Sequence, residues 1–144
     1  MARGGVQGFA DLQKQFDELN KRLQTADVDK FCRIVAKELA ARLLAQVIRR
    51  TPVGDYPAST GKKGGTLRRG WTAQTEEETA SGGTGDAVAY ANALPITKSG
   101  NVYEIEIINP VHYASYVEFG HRTRGGDGWV QGRFMLTLSE KEVQ

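Results

Sequence analysis

Between Val28 and Arg50, apolar residues return every fourth position. Phe31, Val35, Leu39, Leu43 and Val47 form one stripe, and Cys32, Ala36, Ala40, Leu44 and Ile48 lie beside it. Side chains three and four residues apart share one side of an α-helix. A double stripe makes an apolar face too wide to leave in water, so the spacing predicts a helix at the centre of a core. Arg49 and Arg50 suit the negative end of that helix. Thr51-Pro52 closes it, because the residue before a proline avoids helical backbone angles.

Upstream, Phe9, Leu12, Phe16, Leu19 and Leu23 are spaced 3, 4, 3 and 4, the a/d pattern of a helix seam. Asp17 and Lys21 add an i,i+4 pair on its outer side. Two heptads are short for a free coiled coil, so the reading favours a helix packed on its own domain over an intermolecular zipper. "TADVDK" interrupts the pattern, and Asp27 could cap a new helix with Asp29 in its first turn. The expected organisation is therefore an N-terminal helix over 1–26 and a single α+β domain over 27–144, with flexible loops near 52–66 and 79–101. At 144 residues, one domain with a core of its own is the natural size, without disulfides or metal.

The remainder alternates short patterns with turn residues. "PVGDYPASTGKKGG" reads as a long loop. Its Gly61–Gly65 piece is not a phosphate loop, since no Lys-Ser/Thr follows the last glycine and no strand precedes it. "TLRRGWTAQTEEET" alternates Leu67, Arg69, Trp71 and Ala73 like a strand bent at Gly70. On a strand Glu76, Glu77 and Glu78 would point to alternate faces and not converge on a cation. "AVAYANALPIT" fits a short edge strand. "VYEIEIIN" fits a clearer one, with Tyr103, Ile105, Ile107 and Asn109 inward. Val111 to Phe119 fits a short helix with Gly120 as a left-handed cap. "HRTRGGDG" then reads as an exposed loop, and a C-terminal helix follows, prepared by Trp129 and Val130 and begun by Phe134, Met135, Leu136 and Leu138. The sum is an α+β fold: N-terminal helices on a small antiparallel sheet, with a short helix and a C-terminal helix.

Composition excludes several classes. Cys32 is the sole cysteine, which fits a reducing compartment and a small buried side chain. No apolar run nears the roughly 18 residues of a membrane span, and "MARGGVQGF" has no apolar signal core. Net charge is +2, a poor basis for tight nonspecific duplex binding. That charge is uneven: residues 1–72 hold 14 Lys and Arg against 7 acids, and residues 73–144 hold 5 against 10. Chance would produce this, and so would a molecule that stacks on copies or partners by opposite charge.

His112, Glu118, His121 and Asp127 are the residues a small metal-dependent hydrolase or nuclease would use. The His112–His121 spacing matches no common zinc arrangement, and no nucleophile or oxyanion motif accompanies them. No catalytic, metal or cofactor site is expected. A nucleic-acid regulator using basic N-terminal helices is opposed by Asp11, Asp17, Glu18, Asp27, Asp29 and Glu38 among the same residues. Arg122 and Arg124 beside glycines suit a docking loop instead.

Taken in order, "TPVG…GTLRRGW", "NPVHYASYVEFGHRTR" and "GWVQGRFML" resemble the neck, or head–tail joining, proteins of long-tailed double-stranded DNA bacteriophages and prophages. The likeness covers about residues 28–140, and Tyr113–Gly120 is its most specific part. Residues 53–66 and 80–98 are longer and richer in glycine than the family's compact form. The resemblance implies an α+β virion protein, made in the bacterial cytoplasm, that assembles as a ring at the head–tail junction. It would contact copies of itself, a capsid-side connector or stopper, and a tail terminator or tail-tube protein. DNA would pass through the ring without sequence-specific binding, and no membrane or cofactor is implied. A tail terminator or tail completion protein capping the tail tube is the nearest alternative. Tyr113, Tyr116, Glu118, Arg122, Arg124, Trp129 and Arg133 are the expected partner-interface residues.

Overall fold

The computed structural model describes residues 2–82 and 85–143, with side chains from residue 8 onward. Helix α1 spans Ala2–Arg50 without a break. The expected start of a second helix at Asp27 is therefore corrected. Residues 24–30 hold neither glycine nor proline. The Thr25 hydroxyl folds back to the Lys21 carbonyl at 2.8 Å, and Arg33 pairs with Asp29 at 2.8 Å one turn away. Local side-chain bonds that could have ended the helix are spent inside it.

The chain divides into two compact units, Met1–Val35 and Ala36–Gln144. The described residues of the first all belong to α1. There Phe9, Leu12, Phe16, Leu19, Leu23, Val28, Phe31 and Ile34 are exposed, and Cys32 is half-buried. Among the described residues of that unit the 3,4,3,4 stripe meets no second element.

The second unit holds the core. Ala40, Leu44 and Val47 from the last turns of α1 are buried with Leu67, Trp71, Tyr90, Ala91, Leu94, Val111 and Met135. Helices α2 (Thr66–Gly70), α3 (Glu76–Ser81) and α4 (Ala87–Ala93) follow α1. Strand β1 (Thr97–Ser99) then pairs antiparallel with β2 (Val102–Glu104), with Lys98 opposite Tyr103. Helix α5 (Ala114–Phe119), strands β3 (Gly120–Arg122) and β4 (Trp129–Gln131), and helix α6 (Met135–Val143) complete the α+β fold.

Three expected elements change type. Residues 66–79 form helices α2 and α3, not a strand. Thr75 caps α3 by accepting from the Glu78 N–H, and Glu76, Glu77 and Glu78 fill its first turn, where the helix dipole favours negative charge. Residues 87–93 form α4, with Asp86 accepting from the N–H groups of Val88 and Ala89. A capping residue is a helix signal that alternation alone hides. Residues 120–131 form a hairpin, so Trp129 and Val130 lie on a strand and not ahead of a helix. The strand expected over 102–109 is regular only to Glu104. Ile105 and Ile107 still pack on the core, so the expected inward set holds.

The end of α1 is stitched to the next elements by side chains. The Thr51 hydroxyl donates to the Val47 carbonyl at 2.6 Å and accepts from Trp71 Nε1 at 2.8 Å. Arg68 donates to the Thr51 carbonyl through Nη2 at 2.7 Å and Nε at 3.2 Å. The guanidinium thereby takes up a carbonyl left over at a helix C-terminus. Asn109 reaches back across 42 positions to donate to the Leu67 carbonyl at 2.8 Å. Gly70 permits this approach, since a Cβ there would stand 2.2 Å from Asn109 Oδ1. Arg50 pairs with Glu142 of α6, and Lys37 donates to the Asn92 carbonyl and, at 3.1 Å, to the Leu94 carbonyl past the end of α4.

Candidate docking surface

Helix α5 has an inner and an outer side, and the sequence places different chemistry on each. Tyr113, just before it, and Val117 pack inward on the core. Tyr113 is half-buried beside Pro52, Tyr56 and Gly65, and burial pushes its hydroxyl above the usual tyrosine value, with nearby Tyr56 adding to the rise. Glu118 is buried as well. Its carboxylate accepts from the N–H of Leu136 at 2.9 Å, the N–H of Thr137 at 3.0 Å and the Thr137 hydroxyl at 2.8 Å. Helix α6 has no acid in its own first turn, so α5 supplies the charge that its N-terminal N–H groups need.

The outer side carries Tyr116 and Phe119, both exposed. The β3–β4 hairpin follows directly and carries His121 beside Tyr116. His121 is paired across the ladder with Val130, and Arg122 with Trp129, so the first pair shares one face of the hairpin and the second pair the opposite face. The Tyr116 and His121 rings lie 5.8 Å apart. Gly120 makes the junction, with φ +87 and a Cβ position only 2.4 Å from the Val130 carbonyl oxygen and 3.0 Å from Trp129 Nε1. Only glycine lets the Trp129 ring approach the backbone there. It begins the hairpin and is not the left-handed helix cap that the sequence led us to expect. The hairpin loop is ordered by Thr123, which exchanges backbone and side-chain hydrogen bonds with Gly128 at 3.0 and 3.1 Å. Past β4 the chain returns to α5, where the Arg133 N–H donates to the Val117 carbonyl at 2.7 Å and the Phe134 N–H to that of Glu118 at 3.0 Å.

The structure thus brings Tyr116, Arg122, Trp129 and Arg133 to the α5–hairpin region as exposed side chains, with Arg124 exposed in the hairpin loop. Tyr113 and Glu118 lie on the inner side of the same helix. Phe119 and Val130 join the outer side and escaped sequence reasoning, because an apolar residue next to a helix end or in a loop reads as core. Tyr, Trp and Arg beside exposed apolar groups are the side chains that protein interfaces favour.

The residues weighed for hydrolysis do not converge. His112 is tied to Glu76, whose Oε1 accepts from the His112 N–H at 2.8 Å and lies 2.9 Å from Nδ1. Those two bonds hold the Glu76 carboxyl below the usual glutamate value. Glu118 is committed to α6, His121 lies against Tyr116, and Asp127 is in the hairpin loop. Among the described residues no group of three or more His, Cys, Asp or Glu could hold a metal ion, and no helix is long and apolar enough to cross a membrane.

Residues 10–120 match the HK97-gp10-like family, described as a bacteriophage HK97-gp10 tail component. The chain belongs to that family. The matched span covers α1 from residue 10 through α5 and ends at the first residue of the hairpin. No curated protein and no solved structure matches the chain. A structural tail component of a phage virion is what the family supports, and such a protein has no need of a catalytic centre. The bonds that join Arg68 and Trp71 to Thr51, and Asn109 to Leu67, lie within the family span.

Proposed function

We propose that this chain is a virion structural protein at the head–tail junction, forming a ring that joins the capsid connector to the tail and lets DNA through. The observation that carries the reading is membership of a phage tail-component family in a chain whose exposed α5–hairpin region is aromatic and arginine-bearing. Tyr116, Arg122, Arg124, Trp129 and Arg133 would meet the neighbouring protein, either the connector or stopper on the capsid side or the terminator or tube on the tail side. Tyr113 and Glu118 would hold that side in shape. A ring requires head-to-tail contacts that close, and the opposite charge of the two sequence halves supports such contacts. A near-neutral chain would let DNA slide through where a strongly basic one would grip it. The family's tail assignment favours a place on the tail side of the joint, so a tail completion protein capping the tube remains the second reading.

Deleting the gene is expected to give lysates with DNA-filled heads and separate tails in negative-stain electron microscopy. Normal particles from the deletion would overturn the proposal. Complementing it with Arg122→Glu/Arg124→Glu is expected to leave the protein folded and to cut titre by about tenfold or more, as loss of charged interface contacts commonly does. Wild-type titre from that variant would remove the hairpin arginines from the joint. Tails of abnormal length in the deletion, in place of unjoined tails of normal length, would favour the capping role.

A further inference from the structure

We propose that residues 9–23 of α1 form a parallel, in-register coiled coil with the same segment of a second copy of this chain. Phe9, Leu12, Phe16, Leu19 and Leu23 are between 52% and 71% exposed, and they belong to a unit made of helix alone. No second element among the described residues of that unit can cover them. Their 3,4,3,4 spacing makes a narrow seam of two positions in seven, the pattern that packs knobs into holes on a like helix. A broader stripe would be needed to lie on a sheet or in a wide groove.

Area points the same way. At these exposures the five side chains present roughly 600 Å² on one helix, at the upper end of what a monomer leaves in water. Pairing two copies would cover on the order of 1,000 Å², the size at which a specific interface becomes stable. The flanks agree in charge. With Phe9 at an a position, the e and g positions as far as Lys30 are Gln13, Gln15, Asn20, Arg22, Asp27 and Asp29. No like charges face each other in a parallel pair, and Arg22 of each copy faces Asp27 of the other, an opposite-charge pair made twice. The seam stops where Lys30 takes the next a position. Two heptads bind weakly alone, so association is expected to be concentration-dependent in solution and to strengthen when copies are held side by side. The coil does not depend on the head–tail reading.

Disulfide trapping of the full-length chain in a Cys32→Ser background tests it. Leu19→Cys puts a thiol in the seam, and Lys21→Cys puts one on the outside. Under mild oxidation Leu19→Cys is expected to form covalent dimer at least about tenfold faster than Lys21→Cys, as held thiols do over colliding ones. Sedimentation of the wild type is expected to show concentration-dependent dimer that Phe16→Asp abolishes. Equal trapping at both positions, or a wild type that stays monomeric at every concentration, would overturn the proposal. So would trapping of Leu19→Cys with Ile105→Cys, which lines an open apolar groove with Leu39, Leu43, Tyr103, Ile107 and Val143, because the seam would then lie in that groove of another copy.

Discussion

Within α1, Phe9, Leu12, Phe16, Leu19 and Leu23 are exposed, whereas Ala40, Leu44 and Val47 are buried, although both stretches carry apolar residues at helical spacing. Periodicity says which side of a helix is apolar. What covers that side is decided by elements distant in sequence. For Leu44 and Val47 these are Leu67, Trp71 and Met135. For the N-terminal stretch no second element lies among the described residues of its unit, so the same pattern that builds a core in one place leaves an exposed apolar seam in another.

The largest expected contrast comes from truncating one residue in each stretch. Leu44→Ala, at a position with 0% exposure, is expected to lower unfolding free energy by about 2–5 kcal/mol through lost burial and a cavity. Phe16→Ala is expected to change it by less than about 0.5 kcal/mol at dilutions where copies do not associate. Denaturant unfolding followed by the fluorescence of buried Trp71 reads both. Equal losses would break the comparison.

A smaller contrast lies on the two sides of α5. Glu118→Ala is expected to cost about 1–3 kcal/mol, because the N–H groups of Leu136 and Thr137 lose their acceptor. Phe119→Ala, one residue away and exposed, is expected to cost under about 0.5 kcal/mol. Amide exchange in the first turn of α6 would localise the first effect, and unchanged protection in Glu118→Ala would show that the helix does not need this carboxylate.

The smallest effect concerns pH. Glu76 has a lowered folded-state pKa because of its bonds to His112. Its contribution is therefore present above the ordinary glutamate value and is lost as pH falls through the lower folded value. Glu76→Gln is expected to lower stability slightly above the ordinary glutamate value, where the contribution is present, and to converge with the wild type as pH falls through the lower folded value. A larger loss on the acid side than near neutral pH would contradict the sign.

The sequence showed the core helix, the inward set Tyr103, Ile105 and Ile107, the short helix before Gly120 and the C-terminal helix, since each rests on a local period. It hid α2, α3 and α4. Their five to seven residues are too few to display a helical period, and the caps Thr75 and Asp86 were the better signal. The hairpin was hidden because each strand is three residues long and depends on Gly120 meeting Val130 across the ladder. Of the candidate surface, Tyr116 and the arginines were legible as unusual exposed groups. Phe119 and Val130 were not, and the bonds of Glu118 to α6 are long-range contacts that no spacing announces. Much of the segment that gave the family resemblance proves to be architectural: Arg68 and Trp71 both bind Thr51, and Asn109 binds the Leu67 carbonyl, whereas Tyr116, Phe119 and the hairpin side chains stay exposed.

Cryo-electron microscopy of the intact virion tests the central claim most directly. The account predicts a ring of this chain between capsid connector and tail, with Tyr116, Trp129 and the hairpin arginines against a neighbouring protein. Virions without the chain at that joint, or a ring there whose hairpins face only solvent, would contradict it.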